Sequence, residues 1–276
     1  MIGLVTDSNA QMPPELVARF GITVVPVPVI VDGVTHLEGV DLDADTFYAR
    51  LAAERPEVAT TQPSPGQFLR AYEALARAGA DAILSVHLGS SVSGTVNSAR
   101  VASGSVEVPV RIVDTDTASF AVALCAWAAA EGLAAGLGLE DAAARAEGVA
   151  QATGNVFVVR GLELARAGGR LSASAPAEPG GGIPVLSMRH GTMEVVGEVA
   201  DLEEAAETMS AAARAAGTDL RVGVGVADAA VTPVGDAVER RLAGTGEVRE
   251  VVRYRVGPSV GVHTGPGTLG LMWASW

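Results

Sequence analysis

Lysine is absent from this chain of 276 residues, so all 19 of its basic residues are arginine. Isoleucine and asparagine are also scarce, while alanine, glycine, valine and arginine abound, a bias typical of GC-rich coding sequences. Without lysine there can be no Schiff-base lysine, no lysine general base and no P-loop lysine. The absence therefore excludes several classes of enzyme before any motif is considered.

Cysteine occurs once, as Cys125, inside the apolar run 121–130. A single cysteine cannot form an internal disulfide, which favours a reducing cytoplasm, and its predicted role is that of a small buried hydrophobic residue. The first seven residues contain no basic residue and end in the acidic Asp7, so no signal peptide is predicted. No stretch of about 18 residues is free of charges and turn formers, so no membrane span is expected.

Positive charge is scarce relative to negative charge, since 32 acidic residues oppose 19 basic ones and give a net charge of −13. A protein that binds duplex nucleic acid needs a basic surface to neutralise phosphates, so a DNA-binding regulator is disfavoured. Anionic membrane surfaces are disfavoured for the same reason. Hydrophobic residues make up 49% of the chain, enough for one large or two ordinary domains.

Hydrophobic patterning predicts an α/β fold. Short runs rich in valine and isoleucine alternate with alanine-rich helical patterns in the first half, which is typical of a parallel sheet flanked by helices. The predicted strands there are 2–6, 23–31, 82–88 and 110–113, and the predicted helices are 13–20, 44–54, 65–77, 95–102, 119–135 and 140–152. The helix at 65–77 has a clear start signal, with Ser64 as N-cap, Pro65 at the first position and Gln67 at the capping-box position.

The second half predicts a mixed sheet with helices. Its predicted strands are 155–159, 183–188, 192–199, 221–227 and 247–255, with one helix at 202–216 and a flexible loop at 177–182. We therefore predict two α/β domains, 1–155 and 156–276, and find no internal repeat.

The segment 87–98, which follows the third predicted strand, combines a glycine- and serine-rich loop with a helix start. Unpaired amides at such a position favour anion binding. Gly89, Gly94 and Thr95 imitate a Walker A loop but lack its lysine, and the nucleophile-elbow pattern G-x-S-x-G fails because Ser93 stands at its last position. The plain alternative is a serine-rich turn that caps its own helix.

Three further segments could contribute to a site. Thr60 and Thr61 precede the capped helix and lie too far from Ser64 to share its cap, although the segment taken alone is better explained as a β-edge or loop followed by a helix start. Arg170 follows two glycines and could hold carboxylate or phosphate oxygens, or could form a surface salt bridge. His263 lies in a run of glycine and proline that predicts a shaped loop. No cluster has metal-ligand spacing, so no metal site is predicted.

Taken together, these motifs resemble the DegV family, whose members include the fatty-acid-binding subunit of bacterial fatty acid kinase. The matching segments keep the family's order over nearly the whole chain. They are Val5-Thr6-Asp7-Ser8, Thr60-Thr61-Gln62-Pro63-Ser64 in place of T-S-Q-P-S, Ser93-Gly94-Thr95, Val113-Asp114-Thr115 in place of V-D-S, Gly168-Gly169-Arg170-Leu171-Ser172 and His263-Thr264-Gly265-Pro266-Gly267.

The resemblance implies a non-enzymatic carrier that holds a long-chain fatty acid such as palmitate in a buried tunnel and needs no cofactor. It implies that Thr60 and Ser93 bind the carboxylate, with Thr61, Gly94 and Thr95 beside them and Arg170 and His263 at the same mouth. A separate ATP-binding kinase subunit then phosphorylates the bound acyl group, and the acyl phosphate enters phospholipid synthesis. The tunnel would need a volume of roughly a few hundred Å³.

One departure from the family pattern falls after the glycine loop, where family members carry K-P-I/V-L and this chain has Ile183-Pro184-Val185-Leu186. The rival function from the enzyme class is a serine-dependent acyl hydrolase that uses Ser91 or Ser93 with His263. Such an enzyme needs the histidine within about 3 Å of the serine hydroxyl and an oxyanion hole.

Overall fold

The computed structural model describes residues 1–176 and 180–276. Residues 177–179, part of the predicted flexible loop at 177–182, lie outside the described residues. The structure has a parallel sheet flanked by helices in the first half and a mixed sheet in the second, which confirms the predicted α/β fold class.

Three sheets organise the chain. The first is parallel and has the strand order β2-β1-β6-β7, a small antiparallel sheet has the order β4-β3-β5, and the mixed sheet has the order β10-β9-β8-β13-β11-β12. The strands are β1 (Ile2–Asp7), β2 (Thr23–Val25), β3 (Pro28–Val31), β4 (Val34–Leu37), β5 (Val58–Thr60), β6 (Ala82–His87), β7 (Val110–Asp114), β8 (Gly154–Val158), β9 (Ile183–Arg189), β10 (Thr192–Val199), β11 (Leu220–Val226), β12 (Val248–Arg255) and β13 (Leu269–Ser275).

Helices cover the sheets and connect them. They are α1 (Pro14–Phe20), α2 (Ala44–Glu54), α3 (Pro65–Arg77), α4 (Thr95–Ser103), α5 (Phe120–Ala134), α6 (Leu139–Ala152), α7 (Glu163–Ala167), α8 (Leu202–Arg214), α9 (Thr232–Leu242) and α10 (Pro258–Thr264). Ser64 caps α3 and the capping box with Gln67 is present, as predicted. None of the described helices has the length and apolar character that spanning a bilayer requires.

The predictions were wrong at several short elements. The single predicted strand at 23–31 is two strands, because Pro26 lies between them and proline cannot donate a ladder hydrogen bond. The predicted loop around His263 is instead the helix α10, which begins with a proline at its first position. The elements missed entirely are β4, β5, α7, α9 and β13.

Helix α5 is buried on all sides, including Cys125, which lies in the core as predicted. The helix contacts β1 and β6 of the parallel sheet and also β11 and β13 of the mixed sheet. Its apolar run has no polar face, which is typical of a helix enclosed by protein. A Cβ at Gly223 of β11 would lie 2.1 Å from the Phe120 ring, so glycine is required where the mixed sheet meets α5.

A buried arginine joins α5 to the mixed sheet. Arg221 of β11 is 5% exposed and donates two hydrogen bonds to Glu131 of α5, at 3.0 and 2.9 Å. Its guanidinium lies over the rings of Trp127 and Trp276, 4.8 and 4.2 Å from their centroids. The strands of the mixed sheet all lie between residues 154 and 275. The division into domains 1–155 and 156–276 stays a prediction.

We predict that Arg221→Ala lowers the free energy of unfolding by about 2–4 kcal/mol, because it leaves the Glu131 carboxylate with only the Trp276 N–H as donor and removes both ring contacts. Urea unfolding followed by tryptophan fluorescence measures the change. Arg249→Ala is the control, since its pair with Asp219 is exposed and is worth less than about 1 kcal/mol. Equal losses in the two variants would contradict the prediction.

Candidate functional site

A polar cavity of about 430 Å³ lies between the two halves of the chain. All seven residues predicted from the sequence line it: Thr60, Thr61, Ser93, Gly94, Thr95, Arg170 and His263. No aspartate or glutamate is among the described residues that line this cavity, although the chain carries 32 of them. The structure therefore brings together loops that are distant in sequence and leaves one arginine as the fixed charge.

Thr60 is the last residue of β5, which the sequence did not predict as a strand. It pairs with Val29 of β3, so the ladder fixes its backbone. Its hydroxyl lies 3.3 Å from Nε2 of His263, a residue 203 positions later in the chain. This contact connects the T-T-Q-P-S segment to the H-T-G-P-G segment.

Ser93 and Thr95 form the other polar wall. Their hydroxyls are 2.9 Å apart, and the Thr95 N–H donates to the Ser93 hydroxyl at 3.3 Å. A Cβ at Gly94 would lie 1.7 Å from Oε1 of Gln62, so only glycine allows the two loops to approach this closely. The Ser93 hydroxyl thus accepts from an amide of the helix that follows it, as expected for a serine-rich turn that caps its own helix. Ser93 also lines the cavity.

His263 lies in the last turn of α10. Burial lowers the pKa of its imidazole to about 4, and the nearby positive charge of Arg170 acts in the same direction. Nδ1 is buried and has no hydrogen-bond partner among the described residues. A Cβ at Gly168 would lie 2.2 Å from this nitrogen, which explains why the G-G-R-L-S segment needs glycine there. His263 is therefore neutral at pH 7.

Arg170 follows Gly169, which has a positive φ of 66° that favours glycine. Two hydrogen bonds fix the backbone of Arg170. Its N–H donates to the Ala165 carbonyl at 3.1 Å, and its carbonyl accepts from the Met193 N–H at 2.7 Å. Within residues 1–176 and 180–276, no carboxylate lies in ion-pair range of its guanidinium. The structure therefore shows an arginine at the cavity and not the surface salt bridge considered from the sequence.

An apolar cavity adjoins the polar one and shares Asn9, Val92, Arg170, Ser259 and His263 with it. Its apolar lining includes Phe157, Met188, Met193, Val256, Val260 and Met272. Its volume is about 60 Å³, well below the few hundred Å³ predicted for a tunnel. Three methionine side chains are among the residues that line it. Methionine is flexible, so these side chains can repack around a ligand.

The sequence reasoning missed the polar network beneath the cavity. His87 is fully buried, and its Nδ1 lies 2.9 Å from Asp7 while its Nε2 lies 2.6 Å from the Ser85 hydroxyl. Asp7 also accepts from the backbone N–H groups of Asn9 and Leu88, at 3.1 Å each. Asn9 and Leu88 line the cavity, so this network fixes two of its walls. The available signal was the spacing of Ser85 and His87, two residues apart in a predicted strand.

His190 also has a partner that the sequence did not indicate. Its Nδ1 lies 2.9 Å from Asp116, whose other carboxylate oxygen accepts from the Ser91 hydroxyl at 2.6 Å. These two hydrogen bonds lower the pKa of Asp116. The contact connects the turn between β9 and β10 to the loop that carries Ser93.

The geometry also bears on two other chemistries considered from the sequence, a metal site and a serine hydrolase. No group of three potential metal ligands occurs in the part of the chain that the structure describes. His263 Nε2 lies beside Thr60, while the Ser93 hydroxyl lies beside Thr95 and the Ser91 hydroxyl beside Asp116. Neither serine therefore forms the histidine pair that a hydrolase needs.

The sheets, together with a polar cavity that adjoins a smaller apolar one, define an α/β protein with a candidate ligand site. The family model described as "Uncharacterised protein, DegV family" matches residues 1–275. The chain belongs to the DegV family, which confirms the resemblance seen in its motifs.

Individual relatives agree with this assignment. The chain is 34% identical to the DegV domain-containing protein SCO2569 of Streptomyces coelicolor, over 99% of this chain and 98% of that protein. A fatty-acid-binding DegV family protein from Thermus thermophilus superimposes with a TM-score of 0.87 at 30% identity, covering 100% and 99% of the two chains. DegV from Bacillus subtilis, described as a fatty acid binding protein, gives 0.88 at 26% identity, covering 100% and 99%.

We predict that His263 stays neutral down to about pH 4 in the folded protein, whereas an unfolded histidine titrates near 6.5. The unfolded state then binds the proton first, so the free energy of unfolding falls by about 1–3 kcal/mol as the pH drops from 6.5 to 4. Comparison of this fall with that of His263→Gln isolates the contribution. His190→Gln, with an exposed imidazole, is the control. An NMR titration midpoint above 6 for His263 would contradict the prediction.

Proposed function

We propose that this chain is a carrier that binds one long-chain fatty acid and presents its carboxylate to a partner kinase. The observation that carries the proposal is a cavity with hydroxyls and an arginine but no carboxylate among its described lining, joined to an apolar cavity. Structural relatives described as fatty-acid-binding proteins support the ligand class. A cytoplasmic location, suggested by the lone buried Cys125, belongs to the same proposal.

In this proposal the fatty-acid carboxylate lies between Thr60 and Ser93, with Thr61, Gly94 and Thr95 along the same wall. The neutral hydroxyls donate to the carboxylate. Arg170, which lines the same cavity, adds a charged donor, since a guanidinium suits carboxylate oxygens. His263 is neutral, and its Nε2 contacts the Thr60 hydroxyl.

The acyl chain supplies most of the binding free energy. Burial of ~15 methylenes at ~0.8 kcal/mol each gives an upper bound of roughly 12 kcal/mol. Ordering of the chain and repacking of the methionines reduce this value. The head group therefore needs to contribute little, which fits a site made mainly of neutral hydroxyls.

The chemical step belongs to the partner. One carboxylate oxygen attacks the γ-phosphorus of ATP bound to the kinase, the bond to the β-phosphate oxygen breaks, and ADP leaves with that electron pair. The product is an acyl phosphate, whose added charge Arg170 is placed to stabilise. The chain has no lysine and no P-loop of its own, so ATP binding falls to the kinase.

We expect organic extraction of the purified protein to release near-stoichiometric fatty acid, identified by mass spectrometry. Ser93→Ala should lower the retained fraction or raise the dissociation constant about 5–30-fold, because one carboxylate donor is lost. Ser103→Ala is a matched control, since that hydroxyl bonds to Arg100 of its own helix. Protein that carries no lipid and binds none on titration would refute the proposal. Ester hydrolysis that disappears in Ser93→Ala would favour the hydrolase instead.

The kinase part of the proposal is tested separately. Lipid-loaded protein with ATP alone should form no acyl phosphate, whereas addition of a fatty acid kinase should give acyl phosphate that hydroxylamine traps as a hydroxamate. Arg170→Met should slow this transfer more than it weakens fatty-acid binding, because the extra charge develops only in the reaction. Equal losses in both measurements would contradict that role for Arg170.

A further inference from the structure

Helix α10 crosses from one half of the chain to the other. It follows β12 of the mixed sheet, yet it contacts α2, β3 and β5 of the first half. The helix has seven residues, and no side chain at its own N-cap, Gly257, satisfies the first amides. Because His263 lies in its last turn, the docking of α10 sets where the imidazole meets Thr60.

Two side chains of the first half hold the beginning of this helix. The Ser259 N–H donates to Oε1 of Glu38 at 2.8 Å, and the Gly257 N–H donates to Oε1 of Gln11 at 2.5 Å. Nε2 of Gln11 lies 3.3 Å from Glu38 Oε1 and 3.3 Å from the Ser259 hydroxyl. The Asn9 side chain also donates to that hydroxyl at 3.3 Å.

The holding groups are themselves fixed. Glu38 is 6% exposed, and its other oxygen accepts from the Ser8 hydroxyl, which in turn accepts the Val27 N–H at 2.9 Å. A Cβ at Gly257 would lie 2.5 Å from both Gln11 Oε1 and Glu38 Oε1, so the fit excludes any side chain there. A buried carboxylate bonded on each side specifies one arrangement strongly.

We propose that Glu38 and Gln11 are positioning residues, which hold the first amides of α10 and thereby set the contact between His263 and Thr60. Neither residue lines the polar cavity, so each acts through the helix and not by touching a ligand. This inference rests on the proposed function only where its test measures the dissociation of fatty acid. The position of the imidazole can be measured without any lipid.

The first test is Glu38→Ala, compared with Glu38→Gln. Alanine removes the acceptor for Ser259, so the NMR cross-peaks between the His263 ring and Thr60 should be lost, and fatty-acid dissociation should speed up about 5–30-fold. Glutamine keeps an oxygen that can accept the same N–H, so it should restore both readouts to near those of the unmodified protein. Gln11→Ala is the second variant, in case Glu38→Ala does not fold.

Asp201→Ala is the matched control. Asp201 also accepts the first amides of a helix, but from that helix's own N-cap position. Its carboxylate accepts the N–H groups of Glu203 and Glu204 of α8 at 2.9 Å each. Its loss should lower stability, as loss of a helix cap does, while leaving the His263–Thr60 cross-peaks unchanged.

The outcomes separate the two proposals. Unchanged His263–Thr60 cross-peaks in Glu38→Ala and Gln11→Ala, or their loss in Asp201→Ala as well, would overturn the positioning role. Loss of the cross-peaks with glutamine rescue supports it, whatever the lipid result. If the cross-peaks are lost but fatty-acid retention is unchanged, positioning stands, and the contribution of the His263–Thr60 pair to the proposed function is refuted.

Discussion

The docking of α10 against the first half of the chain is the interaction on which the site depends. This short helix carries Ser259 and His263 into a space bounded by β5 and by the loop of Ser93. Gly261 packs directly on α2, since a Cβ there would lie 2.6 Å from the Tyr48 hydroxyl. A shift of α10 would separate the His263 and Thr60 side chains and change the polar and apolar cavities at once, because Ser259 and His263 line both.

The charges that line the cavity differ from those of the acidic protein as a whole. The net charge of −13 repels anions at long range, but solvent ions screen exposed charges beyond about 8 Å at physiological salt. Arg170 is the one charged residue among the described residues that line the cavity, and burial lowers the pKa of His263 to about 4. Under the proposed function, selectivity for a carboxylate therefore comes from the lack of acidic side chains in the described lining, together with hydroxyl donors, and not from the overall field.

Long amphipathic or apolar segments could be predicted from the sequence, whereas short elements fixed by tertiary contacts could not. Helix α2 was predicted at its observed bounds from its helical pattern alone, and the structure adds that the Asp43 side chain caps it. Strand β5 has three residues and exists through pairing with β3, and the first amides of α10 donate to Glu38 and Gln11. The resemblance to the DegV family implied that Thr60, Ser93, Arg170 and His263 share one site, and all four line the same cavity. The roles of Asp7, His87 and Glu38 depend on contacts that no local pattern contains.

The two cavities differ in how much they must change to hold a fatty acid. The polar end is already assembled, since the backbone ladder fixes Thr60, close packing of Gly94 on Gln62 fixes the Ser93 loop, and backbone bonds fix Arg170. The apolar end has a volume of about 60 Å³ and is lined partly by methionines. Under the proposed function, recognition of the carboxylate is therefore preorganised, whereas accommodation of the chain requires repacking. It follows that a rigid site recognises the head group. Chain length and shape are selected by the free-energy cost of moving Met188, Met193 and Met272.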